Sequence, residues 1–198
     1  MIVTWLPSWL STDLSLISGF LTWIVVLSWL WRSGWKIQRR YFIEATQKPL
    51  TRNAIVWSAG IVGAIFFVAA QMRPGMPGVM TVAMIGALSA YVDARTHRLP
   101  NAYTVAMGIG VVLGVIVGGV MSPLWQERLL GALIGALIWF VPIALLNRLP
   151  GGMGGGDVKL APVLGALVGS VELHAAIFAL ALSFVSAGVA ALWKIVVG

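Results

Sequence analysis

Cysteine is absent from this chain of 198 residues, and histidine occurs only twice. Without thiols, the chain forms no disulfides and no thiolate-bound zinc site, and two histidines are too few for a structural metal site. We therefore expect no metal and no other cofactor. Basic residues interleaved with base-stacking aromatics on a soluble surface are also missing, so nucleic acid is not an expected partner.

Charged residues are scarce as well. They make up 10% of the chain, whereas 60% of the residues are hydrophobic and the mean hydropathy is +0.96. A soluble domain of this length cannot bury so much apolar surface. Apolar runs recur along the whole chain, and each approaches the ~20 residues that a helix needs to cross a bilayer. The sequence predicts an all-α fold, a polytopic transmembrane helical bundle in which residues 1–198 form a single membrane domain.

About seven spans are predicted, and six to eight are compatible with the pattern. They lie near residues 14–31, 54–70, 79–92, 102–120, 129–146, 160–171 and 175–197. The sixth is short for a full crossing, and the third runs directly into a charged loop. Residues 1–5 lack the positive start and the small-residue cleavage site of a secretory signal, so we expect the first helix to stay in the mature protein.

Basic residues predict the orientation, because short cytoplasmic loops carry an excess of lysine and arginine. If the N-terminus faces outward, all of the 13 lysines and arginines except Arg73 and Arg128 lie on the inner side. The basic segment 32–53 is then cytoplasmic, with an amphipathic interfacial helix expected around 35–45. Anionic lipid headgroups are the expected partners of this face.

Two carboxylates stand out, because Asp93 and Asp157 lie at the predicted cytoplasmic ends of apolar segments. An ionisable group at that depth is costly and is by default a functional-site candidate. Two carboxylates held in one water-accessible pocket cannot both ionise easily. One keeps a proton and the other acts as a general base on water. The pair therefore predicts aspartic-protease chemistry.

Three glycines, Gly154, Gly155 and Gly156, precede Asp157 and have two interpretations. A backbone without side chains lets an extended substrate lie close to the carboxylate. Alternatively, the glycines form a flexible loop that ends with Asp157 as a helix N-cap. Lys159 either contacts the site or extends its ammonium group to the membrane surface.

The segments that contain these two aspartates resemble a known family. GGGDVKL at 154–160 resembles the Gly-x-Gly-Asp motif of type IV prepilin peptidases, which are membrane aspartic proteases. DARTHRLPN at 93–101 resembles their other active-site segment, an aspartate followed after a short basic stretch by a proline and an asparagine or aspartate. The resemblance extends over residues 91–169. In the second segment, Pro100 is expected to end one helix and start the next, with Asn101 beside it.

The resemblance implies that Asp93 and Asp157 are the catalytic dyad of an endopeptidase. Its substrates would be prepilins or pseudopilins, from which it removes a short basic leader at the cytoplasmic face of a prokaryotic inner membrane. Substrate-binding or loop roles fall to Gly154, Gly155, Gly156, Lys159, Pro100 and Asn101.

Many members of that family also methylate the new N-terminus, and they often have a larger cytoplasmic region with four zinc-binding cysteines. This chain has no cysteine and only segment 32–53 in that place, so it resembles the shorter type and methyltransferase activity is not predicted. A presenilin-like or signal-peptide-peptidase-like protease is one alternative, although the Pro-Ala-Leu motif typical of those families is absent. A non-enzymatic transporter or scaffold, in which the acids relay protons or cap helices, is the other.

Overall fold

The structure is a computed structural model that describes residues 8–70, 75–122, 124–150 and 153–197. The predicted outer position of Arg73 and the expectation about residues 1–5 lie outside these ranges. Within them the fold is entirely helical, which confirms the predicted all-α class. The helices are α1 Ser8–Trp29, α2 Trp35–Glu44, α3 Arg52–Ala69, α4 Met76–Thr96, α5 Asn101–Val120, α6 Trp125–Asn147, α7 Gly155–Val171 and α8 Leu173–Val197.

A π-helical segment, Leu30–Gly34, joins α1 to α2 without a break. The eight α-helices therefore form seven continuous helical rods in the described chain, one for each predicted span. Six of these rods are long and apolar enough to cross a membrane, and α7, with 17 residues, is not among them. The prediction of a polytopic helical bundle is confirmed, and α7 corresponds to the span that was expected to be short.

Two predicted boundaries differ from the structure. The third span was predicted to end near residue 92, but α4 continues to Thr96, so Asp93 lies within the last helical turn. The helix stops where His97 takes a left-handed conformation with φ 51°, and the His97 N–H donates to the Asp93 carbonyl at 2.7 Å. The helix predicted around 35–45 forms as α2. It continues the first span and buries Gln38 and Phe42 against its neighbours.

Helix α4 is the centre of the bundle. It packs against α1, α3 and α5, and the side chains of Met76, Met80 and Met84 are fully buried in the main core. Glycines allow α4 and α5 to approach closely, since a methyl group added at Gly114 would lie 2.7 Å from the Gly78 backbone nitrogen. Small residues at such crossings are a common packing device in membranes.

In the described part of the chain, no other pair of helices is in contact as extensively as α6 and α7. Gly131 and Gly135 of α6 lie directly against Gly169 and Gly165 of α7, so that any side chain there would collide with a backbone carbonyl. Trp139 of α6 extends to the next helix, where its indole N–H donates to the Ala176 carbonyl at 2.9 Å. These contacts fix the position of α7 and therefore of the aspartate in its first turn.

Candidate active site

Asp157 lies in the first turn of α7, and its position excludes the N-cap role that one of the two glycine interpretations gave it. The N-cap of this helix is Gly154, whose backbone is extended (φ −67°, ψ 150°), and Asp157 is the third helical residue. Its carboxylate oxygen Oδ2 accepts a hydrogen bond from the Gly154 N–H at 3.2 Å. Asp157 therefore does not act as the N-cap. It reaches back to the cap residue, as an acidic side chain at this position commonly does.

The segment 93–101 meets the start of α7 at the same end of the bundle. Gly156 lies against Leu99, because a methyl group added at Gly156 would be 2.8 Å from the Leu99 Cβ. Next to this contact, the Lys159 ammonium donates to the Asn101 side-chain oxygen at 2.9 Å. The structure thus brings together two segments that are 64 residues apart in sequence, counted from Asp93 to Asp157.

The two carboxylates are close enough for their charges to interact. Asp157 lies at an exposed helix end, outside the six helices that can cross a membrane. Partial burial of its carboxyl raises its pKa above the usual value for an aspartate, and the negative charge of Asp93 raises the pKa further. The hydrogen bond from Gly154 acts in the opposite direction. Such a shift is what a carboxyl group needs to keep its proton beside an ionised partner.

The glycines before Asp157 differ in their surroundings. Gly156 is packed against Leu99, where only a residue without a side chain fits. Gly154 and Gly155 are exposed, and nothing lies within 4 Å of a methyl group placed at Gly155. The backbone at Gly154 and Gly155 is therefore accessible beside the acid, as the first glycine interpretation requires. Gly156 has a packing role.

Pro100 starts α5 as predicted, but α4 ends before it, at Thr96 with His97 as the C-cap. The proline is fully buried and forms the N-cap of α5, and its carbonyl accepts from the N–H groups of Tyr103 at 3.0 Å and Thr104 at 3.3 Å. Its extended backbone, with ψ 118°, separates the end of α4 from the start of α5. The turn that carries Leu99 towards Gly156 thus has a defined shape.

Helix α2 holds this turn from the other side, which the sequence did not indicate. Glu44 forms an ion pair with Arg98 at 2.6 Å and a second with Arg40 at 2.8 Å. Gln47 donates from its side-chain amide to the Arg95 carbonyl at 2.9 Å. From the sequence, Arg98 was counted with the basic residues that predict the orientation. Glu44 and Arg98 are 54 residues apart, and no local pattern marks such a pair.

A second link between the first span and α5 is buried. The Tyr103 hydroxyl donates to the Gly34 carbonyl at 3.0 Å, at the end of the π-helical segment. A π-helical turn shifts the regular backbone pairing, and such turns are frequent at functional positions.

Two other polar groups of α4 and α5 are unpaired. The hydroxyl groups of Ser89 and Thr104 are buried and have no hydrogen-bond partner in the structure. In the described ranges, no three His, Asp or Glu side chains come together as a metal site would require.

Comparison with known proteins adds an independent result. The family model described as the type IV leader peptidase family matches residues 80–192. The chain belongs to this family. The match begins within α4 and ends within α8, so it includes both Asp93 and Asp157, whereas α1–α3 precede it. Both aspartate segments of this leader peptidase family member thus lie within the part of the chain that defines the family.

A curated relative is the prepilin leader peptidase/N-methyltransferase of Bacillus subtilis (strain 168). It is 32% identical over 128 residues, which cover 61% of this chain and 48% of the relative. The chain thus spans about half the length of the curated relative it matches. No solved structure matches the chain.

Proposed function

We propose that this protein is a membrane aspartic endopeptidase that cleaves the short basic leader from type IV prepilin or pseudopilin substrates. Membership of the type IV leader peptidase family supports the class of substrate. The observation that carries the proposal is the meeting of the two aspartate segments through the Gly156–Leu99 and Lys159–Asn101 contacts. Two separate segments with one acid each are what a shared carboxylate site needs.

In the proposed reaction, Asp157 holds the shared proton and Asp93 is the general base. Asp93 takes a proton from water, the water oxygen bonds to the scissile carbonyl carbon, and Asp157 polarises the carbonyl oxygen. Asp93 then returns this proton to the leaving nitrogen, the carbon–nitrogen bond breaks, and the carbonyl re-forms in the acid product. The raised pKa of Asp157 favours this assignment, because it lets that carboxyl keep its proton at higher pH than an ordinary aspartate does.

The assignment has a pH dependence with a defined sign. The dyad works only while one carboxyl is protonated, so the cleavage rate falls as pH rises through the pKa of Asp157. Because that pKa is raised, the alkaline limb of the rate profile should lie above the ordinary aspartate value of about 3.9. If the alkaline limb of the kcat/KM profile lay at that ordinary value instead, the assignment would be contradicted.

The other predicted site residues fit supporting roles in the proposal. The exposed backbone at Gly154 and Gly155 would hold substrate in an extended form beside Asp157. The hydrogen bond from Lys159 to Asn101 would fix the first turn of α7 against the start of α5, and so the spacing of the two acids. Pro100 would keep the intervening turn in shape.

The proposed location is a prokaryotic inner membrane, with the N-terminus outside and the site at the cytoplasmic face. The concentration of basic residues supports this placement. Arg40, Arg95, Arg98 and Lys159 all lie at the end of the bundle where the aspartates meet.

We do not propose methylation, since the chain spans about half of the relative whose name includes that activity. Family membership does not favour the presenilin-like or the transporter interpretation.

The direct test is cleavage of full-length prepilins by the purified protein in liposomes, with products identified by N-terminal sequencing and mass. We expect a single cut after the basic leader, and no cut in a control prepilin whose leader has been deleted. If a known prepilin peptidase cuts the same substrates under these conditions and this protein cuts none of them, the transporter or scaffold interpretation gains support.

A further inference from the structure

A cavity of about 570 Å³ opens between α2 and the start of α3. Trp35 and Arg39 of α2 line one side, and residues 49–53 line the other. Two of the lining side chains, Arg39 and Arg52, carry positive charge, and no acidic residue lines the cavity. The cavity is separate from the contacts between the two aspartate segments.

The walls of this cavity are fixed by the chain itself. The buried Gln38 side chain donates to the Leu50 carbonyl at 3.0 Å and accepts from the Leu50 N–H at 3.3 Å. Thr51 then caps α3 by accepting from the Ala54 N–H at 3.3 Å. Because both backbone groups of Leu50 are tied to α2, the segment that carries Arg52 cannot move far from Arg39. The cavity is therefore preformed.

The two arginines have no anionic partner in the part of the chain that the structure describes. The nearby carboxylate of Glu44 is already paired with Arg40 and Arg98. The Arg52 guanidinium lies 3.9 Å from the centre of the Trp31 ring, and this cation–π contact orients it. Its N–H groups remain available, and guanidinium groups match the oxygens of a phosphate with two parallel hydrogen bonds.

The position along the helices identifies the source of the anion. The cavity lies where the first candidate span, Asp13–Glu44, nears its end and the second, Arg52–Ala69, begins. Trp35 lines the cavity and Trp31 contacts Arg52, and tryptophans are typical of the membrane surface. We propose that this cavity binds the phosphodiester headgroup of an anionic phospholipid, through Arg39 and Arg52.

Lipid binding can be measured without reference to cleavage. The detergent-purified full chain is titrated with dioleoylphosphatidylglycerol, and the thermal unfolding midpoint is recorded, since a ligand of the native state raises it. Dioleoylphosphatidylcholine supplies the same phosphodiester without net charge, and inorganic phosphate supplies the anion without acyl chains. We expect saturable stabilisation by phosphatidylglycerol and little by the other two probes.

The variant that tests the site is Arg39→Gln combined with Arg52→Gln. Its half-saturating phosphatidylglycerol concentration should rise about tenfold or more, from the loss of charge-assisted hydrogen bonds. The matched control is Arg148→Gln, which removes the same charge from an exposed position that does not line the cavity. It should bind as the unmodified protein does. Arg39→Gln alone should also raise the half-saturating concentration, and it replaces the double variant in the test if the double variant does not fold.

Three results would overturn the proposal. Unchanged phosphatidylglycerol binding in the double variant would exclude the cavity. An equal loss in Arg148→Gln would show that only overall charge matters. Equal stabilisation by inorganic phosphate would show that the cavity takes a soluble anion and not a lipid headgroup.

Discussion

The buried hydroxyl groups of the central helices α4 and α5 form two groups, those with a hydrogen-bond partner and those without one. Thr81 and Thr96 each donate to the carbonyl four residues earlier, at 2.7 Å and 2.8 Å. Ser89 and Thr104 are equally buried but have no partner in the structure. A buried polar group without a partner costs about 1–3 kcal/mol. An apolar residue of the same shape at position 104 should therefore make the folded protein more stable than the native threonine does.

Replacing each threonine by its isostere valine should separate the two cases. Thr104→Val should raise the free energy of unfolding by about 1 kcal/mol, and Thr81→Val should lower it by about 1 kcal/mol. Both changes are measured by thermal unfolding in the same detergent, so each variant controls for the change of shape in the other. If Thr104→Val destabilises as much as Thr81→Val does, the Thr104 hydroxyl has a partner, and this account of it is wrong.

Among the helical elements, α7 packs against α6 through glycines. Gly165 and Gly169 lie so close to α6 that a side chain at either would meet the backbone of that helix. Gly188 of α8, in contrast, has nothing within 4 Å of an added methyl group. The same substitution therefore has opposite consequences in neighbouring helices. Since the first turn of α7 carries Asp157, its packing also sets the site.

Gly165→Ala should destabilise the protein by about 1–3 kcal/mol, the usual range for overpacking a tight interface. Gly188→Ala should be neutral or stabilise by up to about 1 kcal/mol, because alanine favours the helix over glycine. Thermal unfolding of the two variants under one set of conditions gives the comparison. Equal stability of both would mean that α6 and α7 are not in backbone contact.

Much of this element pattern is predictable from the sequence. Apolar runs mark all seven helical rods, and the six longer rods have the length that a bilayer crossing needs. Their ends are less predictable. The last turn of α4 contains Asp93 and Arg95 and remains helical until the left-handed His97, which no change in hydrophobicity signals. The interpretation that made Asp157 the N-cap is wrong, because Gly154 takes that position and Asp157 is the third helical residue after it.

Long-range contacts at the site could not be predicted. The motifs indicated that Asp93 and Asp157 belong together, but they gave no sign of the Glu44–Arg98 ion pair or of the Tyr103–Gly34 hydrogen bond. Each joins residues far apart in the chain, and a contact of that kind depends on how helices pack and leaves no local spacing to recognise.

On the scale of the whole molecule, the distribution of basic residues predicts how the chain is oriented in the membrane. All of the 13 basic residues except Arg73 and Arg128 lie on one side if the N-terminus is outside. The absence of cysteine makes this arrangement easy to test, since a single introduced thiol has no background.

Thr46→Cys and Gln126→Cys place exposed thiols after α2 and at the start of α6. In intact cells, a membrane-impermeant maleimide should label position 126 and should label position 46 only after permeabilisation. This result follows from the positive-inside distribution. The reverse pattern would invert the proposed topology and move the aspartates to the outer face.

The measurement that tests the central claim most directly is cleavage of one prepilin by Asp93→Asn, Asp157→Asn and Asp13→Asn. Asp13 is an exposed aspartate near the start of the first span and controls for the chemical change itself. Thermal unfolding confirms that all three variants are folded. We expect each dyad variant to lose about a thousandfold or more in kcat, since neither acid can replace the other, while Asp13→Asn cleaves as the unmodified protein does. Near-normal cleavage by a folded Asp93→Asn or Asp157→Asn variant would contradict the two-aspartate mechanism.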